Sequence, residues 1–168
     1  MKHSIMGTLL LTLTGISPAF ADVPQSWIDA QGSYEVCERT GGDMEEYFES
    51  VELTVSGETI TFVTQTKHHG PIATVYQPDG LVRRGNDFHY LEDGSVLGPI
   101  PSHEASFWDD GTLVREEITY LPGNSYAMEA NQITLGASGK LDYVFHVDDQ
   151  LWLSASCSQE ISKRRPFN

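Results

Sequence analysis

The chain has few basic residues and, beyond residue 21, no long apolar run. Lys and Arg together number 10 against 24 Asp and Glu, so the formal net charge is −14. Such a surface repels nucleic acid and anionic lipid, and we therefore expect no nucleic-acid partner. No later stretch approaches the roughly 18 uninterrupted apolar residues of a membrane-spanning helix. We expect the chain beyond residue 21 to be soluble, with no transmembrane segment.

Sequence signatures of catalysis are also missing. The chain contains no G-x-S-x-G elbow, no phosphate-binding loop and no dinucleotide fingerprint. His103-Glu104 begins like a zinc-protease motif, but Phe107 stands where the second histidine is required. We interpret the five histidines beyond residue 21 as surface residues, and they are His68, His69, His89, His103 and His146. The sequence therefore predicts no cofactor, no assigned metal ligand and no assigned catalytic residue.

The first 21 residues have the three parts of a secretory signal peptide. Lys2 is the positive start, Ile5 to Ile16 is an apolar run, and Ala19 and Ala21 are the small residues that cleavage needs. We predict cleavage after residue 21, a single domain over residues 22–168, and a periplasmic or secreted location. Because Lys2 is the only charged residue removed, the formal net charge changes from −14 to −15.

The chain has only two cysteines, Cys37 and Cys157. In an exported protein they most simply form one disulfide, with two free thiols as the alternative. The bond would tie the first strand to the last strand, residues 151–157, and such a pairing closes a barrel. Alternation places Cys37 on a polar face with Glu35 and Arg39. Either a bulge shifts one strand, or one cysteine lies beyond the end of its strand.

Apolar residues alternate between frequent turn signals. Val51, Leu53 and Val55 show this period of two, which is typical of half-buried strands. Asp-Gly pairs at 79–80, 93–94 and 110–111 are hairpin signals, and Asp148-Asp149 is a further turn signal. We predict an all-β, antiparallel up-and-down barrel of about eight to ten strands, with a sandwich as the alternative.

Two short helices are expected beside the strands. Met44, Tyr47 and Phe48 recur at helical spacing behind a capping Asp43, which predicts a helix from Asp43 to Ser50, between strands one and two. A helical turn is also predicted from Pro24 to Ile28.

Glu116 is the most informative charged residue. Alternation places it on one face with Val114, Ile118 and Tyr120. If that face is interior, a carboxylate is buried and needs a partner, a raised pKa or a ligand. In the other register Leu113, Thr119 and Leu121 face inward. The two registers stay open at this point.

Two short motifs carry a family resemblance. Gly32-Ser33-Tyr34 is similar to the G-x-W of the lipocalin and fatty-acid-binding (calycin) superfamily, with Tyr34 in place of tryptophan. Leu141-Asp142-Tyr143 resembles the lipocalin T-D-Y. The resemblance implies an up-and-down barrel that holds a small hydrophobic molecule, with a helix near its mouth.

This binding hypothesis predicts a cavity lined by aromatic residues and one carboxylate, namely Tyr34, Phe62, Tyr90, Trp108, Glu116, Tyr120 and Trp152. A barrel enzyme without a cofactor, using Glu116 as a buried acid, is a second hypothesis. A third is an interaction or inhibitor protein with a solid core that acts through Gly94 to His103. A metal-handling protein that uses His68 and His69 is a fourth.

Overall fold

The structure is a computed structural model that describes residues 22–42, 48–66, 70–90 and 96–159. The predicted signal peptide lies outside these ranges. Within them the chain forms one short helix and eleven strand segments. These are α1 (Gln25–Asp29), β1 (Gly32–Tyr34), β2 (Val36–Gly41), β3 (Phe48–Ser56), β4 (Thr59–Thr66), β5 (Gly70–Tyr76), β6 (Arg83–Tyr90), β7 (Val96–Asp109), β8 (Thr112–Leu121), β9 (Ser125–Leu135), β10 (Leu141–Val147) and β11 (Gln150–Ser158). The predicted all-β class is confirmed.

The strands form two antiparallel sheets. One has the order β1-β3-β4-β5 and the other the order β2-β11-β10-β9-β8-β7-β6. Because β1 and β2 are separated only by Glu35, one extended segment belongs to both sheets; counted as one strand, it brings the eleven segments to ten. Among the described residues no ladder joins β5 to β6. The result is a barrel-like up-and-down meander with first and last strands paired.

Two hairpin turns form where the sequence predicts them. Asp110 and Gly111 join β7 to β8, with φ values of 45° and 81°. Asp148 and Asp149 join β10 to β11, with φ values of 49° and 63°. Two successive residues of positive φ define the type I′ turn, whose twist matches that of paired strands, and Asp and Gly are the residues that tolerate it.

Cys37 and Cys157 lie opposite each other in the β2–β11 ladder and form a disulfide, with Cα atoms 4.0 Å apart. The expected pairing of first and last strands is therefore confirmed. Tyr34 is buried, the next two residues are both exposed, and Cys37 again packs against the core. The break at Glu35 thus shifts the alternation between inward and outward side chains. Cys37 can therefore contact the core, although alternation in the sequence groups it with polar residues.

Helix α1 covers one end of the meander. Its Trp27 is 1% exposed and packs edge-on against Phe62 and Trp108, with ring centroids 6.2 Å and 5.3 Å away. Most buried apolar residues gather around it, including Leu53 and Ile60. We call this the helix end. The hydrophobic core is concentrated at the helix end, and polar side chains lie toward the opposite end.

The two helix predictions have different outcomes. The predicted turn from Pro24 to Ile28 is confirmed as α1, with Pro24 at the N-cap. The predicted helix from Asp43 to Ser50 does not extend to Ser50, because Phe48 and Ser50 pair with β4 as the start of β3. Residues 43–47 lie outside the described residues. No helix in the described ranges is long and apolar enough to cross a membrane.

Replacing both Cys37 and Cys157 by Ser should lower the free energy of unfolding by at most about 4 to 5 kcal/mol. The disulfide joins residues 120 positions apart, so its loss releases a long loop in the unfolded chain. Urea denaturation of the oxidised protein and the double variant measures the difference. An unchanged denaturation midpoint would contradict the proposed contribution of the disulfide.

Candidate functional site

The interior side chains of β7 to β11 form cross-strand rows whose polarity rises away from the helix end. The first row is largely apolar and consists of Trp108, Leu113, Ile133, Tyr143 and Ala155. The second row is mixed and consists of Ser106, Arg115, Asn131, Phe145 and Leu153. The third, which we call the glutamate row, contains Glu104, Glu117 and Glu129 on neighbouring strands. Three carboxylates thus lie side by side on the inner face.

A cavity of about 330 Å³ lies between the two sheets. Its apolar lining comes from Phe48, Val51, Phe62, Ile72, Ile133, Leu141 and Phe145, and its polar lining from Thr64, Thr74, Tyr76, Arg115, Glu129, Asn131 and Tyr143. Ile72 lies opposite the buried Thr64 in the ladder, yet it is 45% exposed. The cavity therefore opens to solvent near Ile72. Its volume is at the lower end of the range of roughly 300–1,000 Å³ typical of small-molecule sites.

Arg115 compensates the negative charge of the glutamate row by pairing with two of its members. Its Nε donates to Glu104 Oε2 at 2.8 Å, and one terminal nitrogen donates to Glu117 Oε2 at 2.7 Å. Burial lowers the pKa of Arg115, but the charges of Glu117 and Glu104 outweigh this effect and raise that pKa overall. Since Glu117 is only 6% exposed, its carboxylate depends on this cation for compensation.

Glu129 is the third member of the glutamate row, and its side chain makes no hydrogen bond or ion pair with any residue of the described ranges. Burial raises its pKa from 4.5 to about 7, and the charges of Asp87 and Glu117 add to the rise. Asp87 itself accepts a hydrogen bond from Thr119 at 3.0 Å. The polar part of the cavity therefore contains a carboxyl group that changes charge near neutral pH.

Two tyrosines complete the polar lining as neutral groups. Burial raises the pKa of Tyr76 to about 12 and that of Tyr143 well above its ordinary value. The Tyr143 hydroxyl donates to Asn131 Oδ1. Both phenols can therefore act as hydrogen-bonding groups without carrying charge at physiological pH.

The residues that the sequence assigned to the cavity end up in several places. Phe62 is buried and lines the cavity. Tyr34 is buried at the helix end, where its hydroxyl donates to the Ala30 carbonyl at 2.9 Å. Trp108 packs on Trp27 in the same region. Tyr90 ends β6, and its side chain lies outside the described part of the structure.

Three of these placements are wrong. Glu116 is exposed, whereas Leu113, Glu117 and Thr119 are buried, so the second register is the correct one. Val114, on the same face as Glu116, is buried as well. Tyr120 shares the outer face with Glu116 and is 47% exposed.

Trp152 does not line the cavity either. The β10–β11 register places Phe145 opposite Leu153 and His146 opposite Leu151, which leaves Trp152 as the extra residue of a bulge. It is 45% exposed, and its ring lies 6.5 Å from that of Phe145. Alternation along β11 also separates Trp152 from its neighbour Leu153, which is buried on the inner face.

Alternation alone singled out none of the polar lining residues, of which Arg115 and Glu129 are the charged ones. A charged residue on a strand normally faces water, and the period-two pattern of β8 is compatible with either face as the inner one. The row of three glutamates appears only when β7, β8 and β9 are set in register. Sequence spacing within one strand contains no information about that register.

The histidines do not assemble a metal site in the described part of the chain. His103 lies 3.1 Å from the Tyr120 hydroxyl through Nδ1, and His146 lies in the outer row with Glu116. Within the described ranges no three His, Cys, Asp or Glu side chains are grouped so that they could hold a metal ion. His68 and His69 lie outside the described residues, as does the side chain of His89.

No protein-family model and no curated protein sequence matches the chain. Among solved structures, the chain is similar to lipid binding protein 8 of Caenorhabditis elegans in its apo form, with 10% sequence identity and a TM-score of 0.44. The alignment covers 66% of this chain and 70% of that chain.

Replacing Glu129 by Gln should stabilise the protein above neutral pH. The folded-state pKa of about 7 lies above the ordinary value of 4.5, so the folded state retains a proton that the unfolded state has lost. Stability therefore falls as pH rises from about 4.5 to about 7, by up to about 3 kcal/mol, and the variant escapes this loss. Urea denaturation across this pH range measures the difference. Glu116→Gln, on the outer face, is the matched control, and an equal pH effect in both variants would contradict the prediction.

Replacing Arg115 by Met should destabilise the fold by about 3–5 kcal/mol at neutral pH, because two inner carboxylates lose their cation. Arg84→Met, on the exposed face of β6, should change stability by only about 0.5 kcal/mol. Chemical denaturation of both variants measures the effect. Equal losses in the two variants would show that Arg115 does not compensate the glutamate row.

Proposed function

We propose that the chain is a binding protein that holds a small, largely hydrophobic molecule in its interior cavity. The observation that supports this function is the cavity itself, which has an apolar lining on both sheets and opens to solvent near Ile72. Binding sites for small molecules are typically concave and mostly apolar, with a few polar groups that orient the ligand.

The lining is suited to a ligand with one polar end. Phe48, Phe62 and Phe145 provide aromatic surface from three strands, and burying it with an apolar ligand is favourable. Asn131 and Tyr143 provide hydrogen-bonding groups at the same cavity. An elongated apolar body with one polar group matches this division.

Export is part of the same proposal. The predicted signal peptide favours a periplasmic or secreted protein. The Cys37–Cys157 disulfide supports it, because such bonds persist in oxidising compartments.

The competing functions have less support. An enzyme that uses Glu116 as a buried acid is disfavoured by the exposure of Glu116 on the outer face. An interaction protein with a solid core is disfavoured by the cavity. Its proposed contact segment, Gly94 to His103, lies within β7 from Val96 onward, while residues 94 and 95 lie outside the described residues.

Titration with the neutral fluorescent dye N-phenyl-1-naphthylamine tests the proposal. The mature protein should bind it saturably, and Thr74→Phe should weaken binding at least about tenfold, because the new ring fills part of the cavity. Val75→Phe is the matched control, since Val75 is the next residue on β5 and is 55% exposed on the outer face. Absence of saturable binding, or an equal loss in the two variants, would overturn the proposed function.

A further inference from the structure

We propose that the polar end of the cavity takes a cationic group, so that the preferred ligand is a small amphiphile with a protonated amine that pairs with Glu129. This inference rests on the proposed function and names the chemical class of its ligand. It follows from the charges that surround the cavity and from the pairing among them.

The cation inside this end of the barrel is already engaged. Arg115 binds Glu104 through Nε and Glu117 through a terminal nitrogen. A ligand carboxylate approaching this guanidinium would have to compete with two carboxylates that are held in place. It would also meet Glu129, which lies next to Glu117 in the ladder.

The balance of charge is therefore negative. The three carboxyl groups of the glutamate row and Asp87 lie near two guanidinium groups, those of Arg115 and Arg83. Arg83 lies opposite Glu104 and is itself paired with Asp79, so carboxyl groups still outnumber cations. Opposite charges within about 4–6 Å stabilise each other strongly where water is excluded, and like charges repel. An ammonium group gains from this field, a neutral hydroxyl gains little, and a carboxylate loses.

Glu129 is the member of the row that is free to act on a ligand. Its side chain lies on the inner face of β9 and lines the interior cavity. It has no hydrogen-bond or ion-pair partner in the described ranges. A protonated amine provides three donors in a compact group and would supply the missing partner.

The preference should depend on pH, because Glu129 loses its proton near neutral pH. The charged and titratable groups that face it from the packed elements are Arg115 and Glu117 of β8, Glu104 of β7, Asp87 of β6, Tyr143 of β10, Tyr76 of β5, and Asp148 of the β10–β11 turn. Burial and these carboxylates raise the pKa of Glu129 to about 7. An alkylammonium, like lysine with its pKa of about 10.4, stays charged throughout. Binding of the amine should therefore strengthen as pH rises through about 7.

Displacement of N-phenyl-1-naphthylamine by decylamine, decanol and decanoate tests the inference, since these ligands share one apolar chain. Measurements at about pH 8.5 and about pH 5.5, in about 0.15 M salt, limit non-specific attraction to the acidic surface. Decylamine should bind at least about tenfold more tightly than the other two at the higher pH, and this preference should shrink at the lower pH. Glu129→Gln should remove the preference, measured relative to the affinity that the variant itself has for the dye. Glu52→Gln, on the exposed face of β3, should change neither.

Each remaining outcome decides against one of the proposals. If decanol or decanoate binds as tightly as decylamine, or if Glu129→Gln keeps the preference, the inference is wrong and the binding function stands. If decylamine binding is unaffected by Thr74→Phe, the amine is held on the surface and the inference is wrong. If neither the dye nor any of the three ligands binds, the proposed function fails and the inference fails with it.

Discussion

The contact of Arg115 with Glu104 and Glu117 is the interaction on which the inner face of the larger sheet depends. Like charges directly opposite on neighbouring strands destabilise a sheet, and here three glutamates lie in one row. One guanidinium from the adjacent row neutralises two of them, so the β7–β8–β9 ladder stays intact while its inner face remains polar. Without this cation the strands would face an uncompensated buried charge, whose cost is several kcal/mol.

The main stabilising contacts and the polar interior groups lie toward different ends of the structure. At the helix end, Trp27 packs against Phe62 and Trp108, and the first interior row continues that core. The disulfide ties the first strand to the last. These features offset the cost of an interior cavity, which borders that core at Phe62 and Ile133, and of an unpaired carboxyl group at the other end. Polar groups that are kept at such a cost are typical of functional sites.

The sequence predicts the turns, strands and disulfide of this fold better than the side chains of its interior. Turn residues such as Asp110-Gly111, the alternation of Val51 and Leu53, and the pairing of two cysteines each depend on local chemistry, and all three were predicted correctly. The inner face of β8 was left open because both of its faces mix apolar and polar residues. Arg115 and Glu117 can face inward because they pair with each other and Arg115 also pairs with Glu104 of β7, and this contact is a property of the assembled sheet.

A carboxyl group in the interior changes which properties of a ligand determine its affinity. In a wholly apolar cavity, affinity depends on the buried area, and ligands of equal area are hard to distinguish. A carboxyl group held near its pKa adds a contribution that depends on the charge of the ligand and on pH, because protonation removes the attraction. Because Arg115 already pairs with two other carboxylates, Glu129 favours a cationic ligand over an anionic one. Selectivity at this cavity then follows from which carboxylate Arg115 leaves unpaired.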